Sequence, residues 1–448
     1  MPASTAPSPV VSSPVPSLAR STATPSPTRS VAPPLGRSST ASRVPRGRPR
    51  AAASSARSAA GAVLTAARLD GPVFRDELVG ATALSHATVN RQVARLLELG
   101  LLRERPDLAP AGAVGRPRVP VEVEAEEFGV LGMHIGLRRT TLTAGDLRGR
   151  VIGAVDVPNP TGDPAEVVAL LTRRLRRFGA RWPRRRVLHV GLVVGGQLSA
   201  DRTRLRHPRL GWESAPVAEI VDRVADSDVV VVPQVEAMAG AETLLTRHHT
   251  TGSTLYVYAR EAVGAVLTVD GAVDVPTTGP GTISHLPVGG SVDCHCGSTG
   301  CLEASVGDAA VAAAARRAGI VSEPSIAGVI AAADGGSRAA HELLVDRARL
   351  LGRGVALARD VFNPDRVVLL GQAFTGYRPG LAHVSASFAA HSVLEPMSLR
   401  VSSLGTGVQA LAACIAALRP VYADPLGALL KATARNEAAG PLLTGPVR

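Results

Sequence analysis

The stretch 285-HLPVGGSVDCHCGSTGCLE-303 gathers three of the chain's four cysteines, Cys294, Cys296 and Cys301, behind a histidine, His285. As spacing it reads His, eight residues, Cys-x-Cys, four residues, Cys. Zn²⁺ takes a tetrahedron of thiolate and imidazole ligands, and four protein ligands leave no open position for an attacking water. The spacing therefore predicts a structural zinc held by His285, Cys294, Cys296 and Cys301. His295, between two of the ligands, is expected to point away from the metal. Buried or reactive thiols are the alternative, but Gly297 and Gly300 supply the backbone freedom that a tight metal knuckle requires.

Two strings, 279-GPGTISH-285 and 294-CHCGSTGCLE-303, together resemble the signature of the ROK family (repressor, open reading frame, kinase). That signature usually reads like G-x-G-E-x-G-H followed by C-x-C-G-x-x-G-C-x-E. Thr282 stands where a sugar-binding Glu is usual, and Ser284 where Gly is usual. The surrounding pattern agrees with an α/β domain. Runs rich in β-branched residues, Val187 to Val194, Val229 to Val232, Leu255 to Tyr258 and Val367 to Leu370, alternate with Ala-Leu-Arg segments such as Ala165 to Phe178, as largely buried strands and covering helices do. The resemblance, from about Gly129 to Ala417, implies a two-lobed actin-like, ribonuclease-H-like ATPase fold over residues 126–420. Residues 421–448 then read as a C-terminal tail without a motif.

Phosphoryl transfer to a sugar needs glycine-rich turns that cradle phosphates and a carboxylate that accepts the hydroxyl proton. Where ROK kinases carry a loop like D-x-G-G-T, this chain has 134-HIGLR-138; where they carry G-x-G-x-G-x-G, it has 260-REAVGAV-266. A Gly-Gly pair near the adenosine site has become Gly371-Gln372. Aligned on Glu242, the family pattern N-D-A-N-A-A-A-L-x-E falls on 233-PQVEAMAGAE-242, so Gln234 occupies the place of the catalytic Asp. An amide cannot take that proton, and loss of a general base removes ~10²–10⁴ in rate. Glu236 is the one conceivable substitute nearby. No catalytic residue is therefore assigned. Of the family's sugar-binding positions, His285 and Glu303 match while Gln234 and Thr282 depart, so the resemblance implies a degenerate effector cleft built from these four residues, for a modified sugar, another metabolite, or nothing. Glu303 also has a purely structural reading, as a hydrogen-bonding support of the knuckle.

N-terminal to this domain the texture is helical. Ala62, Val63, Ala66 and Leu69 suit one helix, Leu78 a second, and Ser85 to Leu99 a third, with Ser85 as its N-cap and Gly100 as its stop. On the third helix Val89, Val93, Leu96 and Leu97 share one face, leaving Thr88, Arg91, Gln92 and Arg95 on another. Arg pairs bidentately with guanine and Gln with adenine in the major groove. The string 83-ALSHATVNRQVARLLELGLLRE-104 resembles a winged helix-turn-helix. That resemblance implies a DNA-binding domain over 56–112, with a wing exit and linker over 113–125. It also implies contacts from Ser85, His86, Thr88, Arg91, Gln92 and Arg95. Arg116 and Arg118 lie in a Gly-Arg-Pro element like that which follows this domain in ROK repressors. A three-helix bundle with a charged solvent face is the competing reading.

Residues 1–55 are Ser, Thr, Pro, Ala and Arg with few large apolar side chains, and read as a disordered tail. Within it Arg46 and Arg48, in 45-PRGRPR-50, resemble an AT-hook that enters a narrow minor groove; an incidental basic patch is the alternative. Residues 1–69 hold nine arginines and no acid, against 40 basic and 37 acidic residues in the rest of the 448. Such a tail suits a polyanion, most simply nucleic acid. No apolar run approaches the ~18 residues of a membrane span, and there is no secretory signal. Cys-x-Cys spacing favours metal over disulfide, which fits a reducing cytoplasm and a nucleoid-associated protein. The expectation is a homodimeric or dimer-of-dimers regulator that binds double-stranded DNA. Its rivals are an active sugar kinase with a DNA-binding appendage, an effector-independent DNA-binding protein, and a chromatin-like protein without sequence preference.

Overall fold

The computed structural model describes residues 57–109, 118–245, 251–274, 282–402, 404–405 and 407–438. Two five-stranded sheets of identical topology carry the α/β part. In the first, the central strand Phe128–Ile135 pairs antiparallel with Arg139–Asp146, which pairs antiparallel with Val151–Pro158. On its other side lie Arg186–Val194 and then Val229–Pro233, both parallel. The second sheet repeats this plan. Ser253–Ala259 is central, Val263–Val269 and Ala272–Asp274 follow antiparallel, and Arg366–Leu370 and Arg400–Val401 complete it in parallel. This duplicated order is the two-lobed ribonuclease-H-like arrangement that the resemblance to the ROK family implies. All eight residues of Phe128–Ile135 are buried, which is why that stretch reads as a continuous apolar run rather than an alternating one.

The chain's C-terminal part returns to the first lobe. The helix Val408–Ala423 lies directly on the first sheet, because Gly132 and Gly191 present no side chain there. A Cβ at either position would stand 2.6 Å from main-chain atoms of Ala413 or Ala417. The next helix, Pro425–Ala438, places Leu429 in the same apolar cluster as Leu64, Val89, Leu96, Phe128 and Tyr422. The expected tail boundary at 420–421 therefore falls inside a helix, and beyond it Val421, Tyr422, Ala428 and Leu429 belong to the core.

That cluster also contains the N-terminal helices Ala59–Asp70, Arg75–Thr82 and His86–Glu98. Ala59–Asp70 was expected to bury one face through Ala62, Val63, Ala66 and Leu69. Instead it buries seven residues, Leu64 among them, because it is clasped on two sides. The Ser58 N–H donates to the Ala423 carbonyl at 2.9 Å. Arg68 sets its guanidinium 5.6 Å from the Tyr422 ring centroid and donates to the Leu244 carbonyl. The strand Leu102–Glu104 pairs antiparallel with Val121–Val123, so the expected division between 112 and 113 separates two strands of one small sheet. Among the described residues no single helix is long and apolar enough to cross a membrane.

Candidate functional site

The knuckle is a short hairpin. The Cys294 N–H donates to the Ser298 carbonyl at 2.8 Å, and the Gly297 N–H returns to the Cys294 carbonyl at 2.9 Å. Gly297 and Gly300 sit at φ +88° and +76°, in the left-handed region that favours glycine. The turn brings one ligand atom from each of His285, Cys294, Cys296 and Cys301 within 4.8 Å of one another. The Cys296 and Cys301 sulfurs are 3.7 Å apart, and the Cys294 sulfur is 3.5 Å from His285 Nδ1. Tetrahedral Zn–S bonds of about 2.3 Å put two sulfurs about 3.8 Å apart, and a shorter Zn–N bond brings sulfur and nitrogen slightly closer. The donor set and its spacing fit zinc. A disulfide, at about 2.05 Å, is far from this geometry. His295 does not face away. Its ring packs edge-on against His285 with centroids 5.2 Å apart, and its Nδ1 is 3.8 Å from the Cys294 sulfur.

Glu303 is fully engaged by protein. Its Oε2 accepts from the Val263 N–H at 2.9 Å and from the Ser284 hydroxyl at 3.2 Å, while its Oε1 lies 3.7 Å from Arg209. The Ser284 hydroxyl is shared with the Val263 carbonyl at 2.7 Å. Ser284, the residue that replaces the usual glycine, thus helps to occupy Glu303. Arg209, on the turn Pro208–Leu210 of the first lobe, also donates to the Glu261 carbonyl at 2.9 Å in the second lobe, and so straps the cleft. Thr282 is exposed and accepts from the Ser284 N–H at 3.1 Å.

Gln234 opens the helix Gln234–Leu245 at the base of the cleft. A Cβ on Gly195 would stand 3.6 Å from its Oε1 and 3.4 Å from His207 Nε2. His134 is buried beside it, and among the described residues His134 Nε2 and His207 Nδ1 have no hydrogen-bond partner. Glu236, the conceivable substitute base, is held at both oxygens by Arg202, at 3.2 and 2.9 Å, and by Arg419 at 3.1 Å. The phosphate-loop positions are closed internally. The Gly136 N–H donates to the Arg139 carbonyl, and the Arg260 N–H to the Ala262 carbonyl, both at 3.0 Å.

Burial, reinforced by the Arg260 charge and only partly offset by the Gln234 amide, pushes His134 down from 6.5 to about 4. A folded-state value below the unfolded one means that the unfolded chain takes up the proton first. The associated stability is complete above about 6.5 and is lost as pH falls toward 4. We expect the unfolding midpoint to drop across that window, by up to roughly 3 kcal/mol in stability, and His134→Asn to flatten the drop. An identical pH profile in the variant would count against it.

On the third helix, the Ser85 hydroxyl accepts from the Thr88 N–H at 3.2 Å and caps the first turn. Val89, Val93 and Leu96 are fully buried, which leaves His86, Asn90, Arg91 and Arg95 exposed and Thr88 and Gln92 half-buried. Leu97, expected in the core, is also half-buried. Arg95 is ion-paired with Glu98 at 2.8 Å. Asn90 escaped the sequence reading; its signal is its place four residues after His86 and next to Arg91, with an amide that matches adenine. Arg118 pairs with Asp76 and lies 5.2 Å over the Phe74 ring. Arg46, Arg48 and Arg116 lie outside the described residues.

The ROK family model matches residues 130–396, and the chain belongs to the ROK family. It is 47% identical over 391 residues to the transcriptional regulator Rv0485 of Mycobacterium tuberculosis, covering 84% of this chain and 89% of that protein. It is 24% identical over 317 residues to the DNA-binding transcriptional dual regulator NagC of Escherichia coli, covering 67% and 77%. A solved ROK family transcriptional regulator, a homologue of the E. coli MLC protein, superimposes with a TM-score of 0.69 at 22% identity over 84% of this chain and 98% of that one. The ROK hexokinase of Thermus thermophilus gives a TM-score of 0.54 at 25% identity, covering 66% of this chain and 99% of that one.

Proposed function

We propose that this chain is a sequence-specific, DNA-binding transcriptional regulator, a repressor, which reads DNA through a winged helix-turn-helix and has no kinase activity. The observation that carries the reading is the capped helix His86–Glu98, whose buried stripe leaves Arg91 and its neighbours in solvent, in a chain 47% identical to a protein named a transcriptional regulator. Gln234 in the place of the catalytic base, and Glu236 clamped by two arginines, weigh against phosphotransfer. The knuckle holds a structural zinc through His285, Cys294, Cys296 and Cys301. With four protein ligands the metal supplies a crosslink and no chemistry. The lobes associate as a homodimer or dimer of dimers, so the operator carries two half-sites, and the protein works in the cytoplasm on the nucleoid. Residues 56–123 act as the DNA-binding domain, Arg46, Arg48, Arg116 and Arg118 add contacts to DNA, and His285, Glu303, Gln234 and Thr282 border a cleft for a sugar-like metabolite. A second reading, regulation without an effector, is favoured by the engagement of both Glu303 oxygens.

Selection of genomic fragments by the purified protein at near-physiological salt should enrich a short two-fold site. Arg91→Ala with Gln92→Ala should then cost about 1–3 kcal/mol of discrimination for each base pair no longer read, with little change on random DNA. Uniform weakening on all DNA would point to phosphate binding alone.

A further inference from the structure

Between Glu166 and Asp201 the chain carries eight arginines, all within residues 173–186, and no acidic residue. Residues 70–448 have 40 basic and 37 acidic side chains, so apart from this run that part of the chain is net acidic. The run covers the last two turns of the helix Pro164–Gly179 and the segment that enters the strand Arg186–Val194. Arg173, Arg177, Arg181 and Arg184 are exposed, and none of the four has a carboxylate partner among the described residues. Like charges three and four residues apart destabilise a helix. The helix dipole offsets this for Arg176 and Arg177 in the last turn, but not for Arg181 and Arg184 beyond it.

The position of this face is informative. Arg185 is anchored to the crossing between the wing strand and the first lobe: it donates to the carbonyls of Ala125 and Phe128 and pairs with Glu126 at 3.1 Å. Glu127, 4.0 Å from Arg186, also reaches Gly100, where a Cβ would stand 2.8 Å from its Oε2. The arginine face therefore lies near the C-terminal end of the helix His86–Glu98, separated from it by Glu124, Glu126 and Glu127, which line one hollow with Arg181 and Arg184. It has no exposed apolar anchor of the kind found at the centre of protein interfaces, since Trp182 is half-buried with its ring 5.2 Å from that of Phe178.

We propose that this face binds the phosphate backbone of the DNA flanking the base pairs read by that helix. The inference rests on the regulator reading above. It adds a second DNA-binding surface on the first lobe that extends the footprint and carries no sequence information.

The test compares wild type with the fourfold variant Arg173→Gln, Arg177→Gln, Arg181→Gln, Arg184→Gln, by affinity against salt concentration. One duplex ends at the selected operator, and the other extends it by about 15 base pairs on each side, more than one helical turn. On the long duplex the slope of log K against log salt should shrink by about 0.9 for each phosphate that the variant no longer neutralises, about 2–4 in all, with roughly 10- to 100-fold weaker binding. On the short duplex the two proteins should bind alike. An unchanged slope on the long duplex overturns the proposal, as it would if an acidic protein were the partner. Equal weakening on both duplexes also overturns it, because only net charge would then matter. Should the fourfold variant fail to fold, the single reversals Arg177→Glu and Arg184→Glu are read in the same way. Failure of wild type to select any operator would sink the regulator reading instead, whatever the arginines do.

Discussion

Cys294→Ser should release the metal and unfold the knuckle together with the part of the second lobe that rests on it. The hairpin has no apolar interior of its own, and its flanks enter the lobe through Val288 and Leu302, both buried in that lobe's core. In small zinc domains the metal contributes an apparent ~10–16 kcal/mol, comparable with the whole stability of an ordinary domain. Part of that is replaced here by main-chain bonds such as Val288 N–H to the Gly300 carbonyl at 3.0 Å, so a loss above about 4 kcal/mol is the expected size. Metal analysis should fall from about one zinc per chain to a small fraction, and chelator-treated wild type should melt where the variant melts. His295→Ala should keep its zinc, since His285 completes the four-ligand set. Full metal retention with an unchanged midpoint in Cys294→Ser would mean that the knuckle stands without a zinc centre.

The convergence of His285 and the three cysteines was legible because their residue types and spacing occur together in one short stretch, which the fold brings to one point. The strands were legible for a similar reason: Val229 to Val232 and Val367 to Leu370 are short runs of branched apolar residues, buried at Val231 and Val232 and throughout the second. Less was visible where tertiary packing decides. Ala59–Asp70 and Pro425–Ala438 are alanine-rich, and alanine gives little sign of what will cover it. That Leu64 of the first and Leu429 of the second share one apolar cluster joins residues more than 350 positions apart in sequence. Ser284 shows the converse. Its departure from the family pattern was plain, but the consequence, a hydroxyl placed against Glu303, needs the fold. His295 was misjudged because alternation along the chain does not hold within a turn built on left-handed glycines.

The second large effect is expected at Glu122, the acid that joins the small sheet of Leu102–Glu104 and Val121–Val123 to the first lobe. Its side chain is only 5% exposed and meets three guanidinium groups: Arg103 at 2.6 Å, Arg105 at 3.0 Å and Arg148 at 2.7 Å. Arg103 and Arg105 lie in and just after the strand Leu102–Glu104, whereas Arg148 comes from the first lobe and also donates to the Val123 carbonyl at 3.1 Å. Burial pushes the carboxyl up, but the hydrogen bonds from Arg103 and Arg105 and the Arg148 charge outweigh it and hold Glu122 below the usual carboxylate range. A depressed folded-state value gives stability that is complete above the unfolded value, about 4.3, and is lost as pH falls through the folded one. At neutral pH the contribution is therefore at its full size. Glu122→Ala leaves Arg148 without a carboxylate, whereas Arg103 keeps Glu124 at 3.8 Å and Arg105 keeps Asp107 at 2.6 Å; with the three guanidinium groups partly in solvent, the cost is about 2–3 kcal/mol, the size of a lost charged hydrogen bond. Arg148→Ala should cost less, because Glu122 keeps two partners. Denaturant unfolding of both variants tests the order. Glu122→Ala should in addition expose the crossing at residues 124–127 to protease, since Arg148 then holds the small sheet through the Val123 carbonyl alone. A Glu122→Ala variant within about 0.5 kcal/mol of wild type, the range of ordinary surface substitutions, would mean that the apolar cluster around Leu64 and Phe128 joins the small sheet to the lobe without help from this ionic centre.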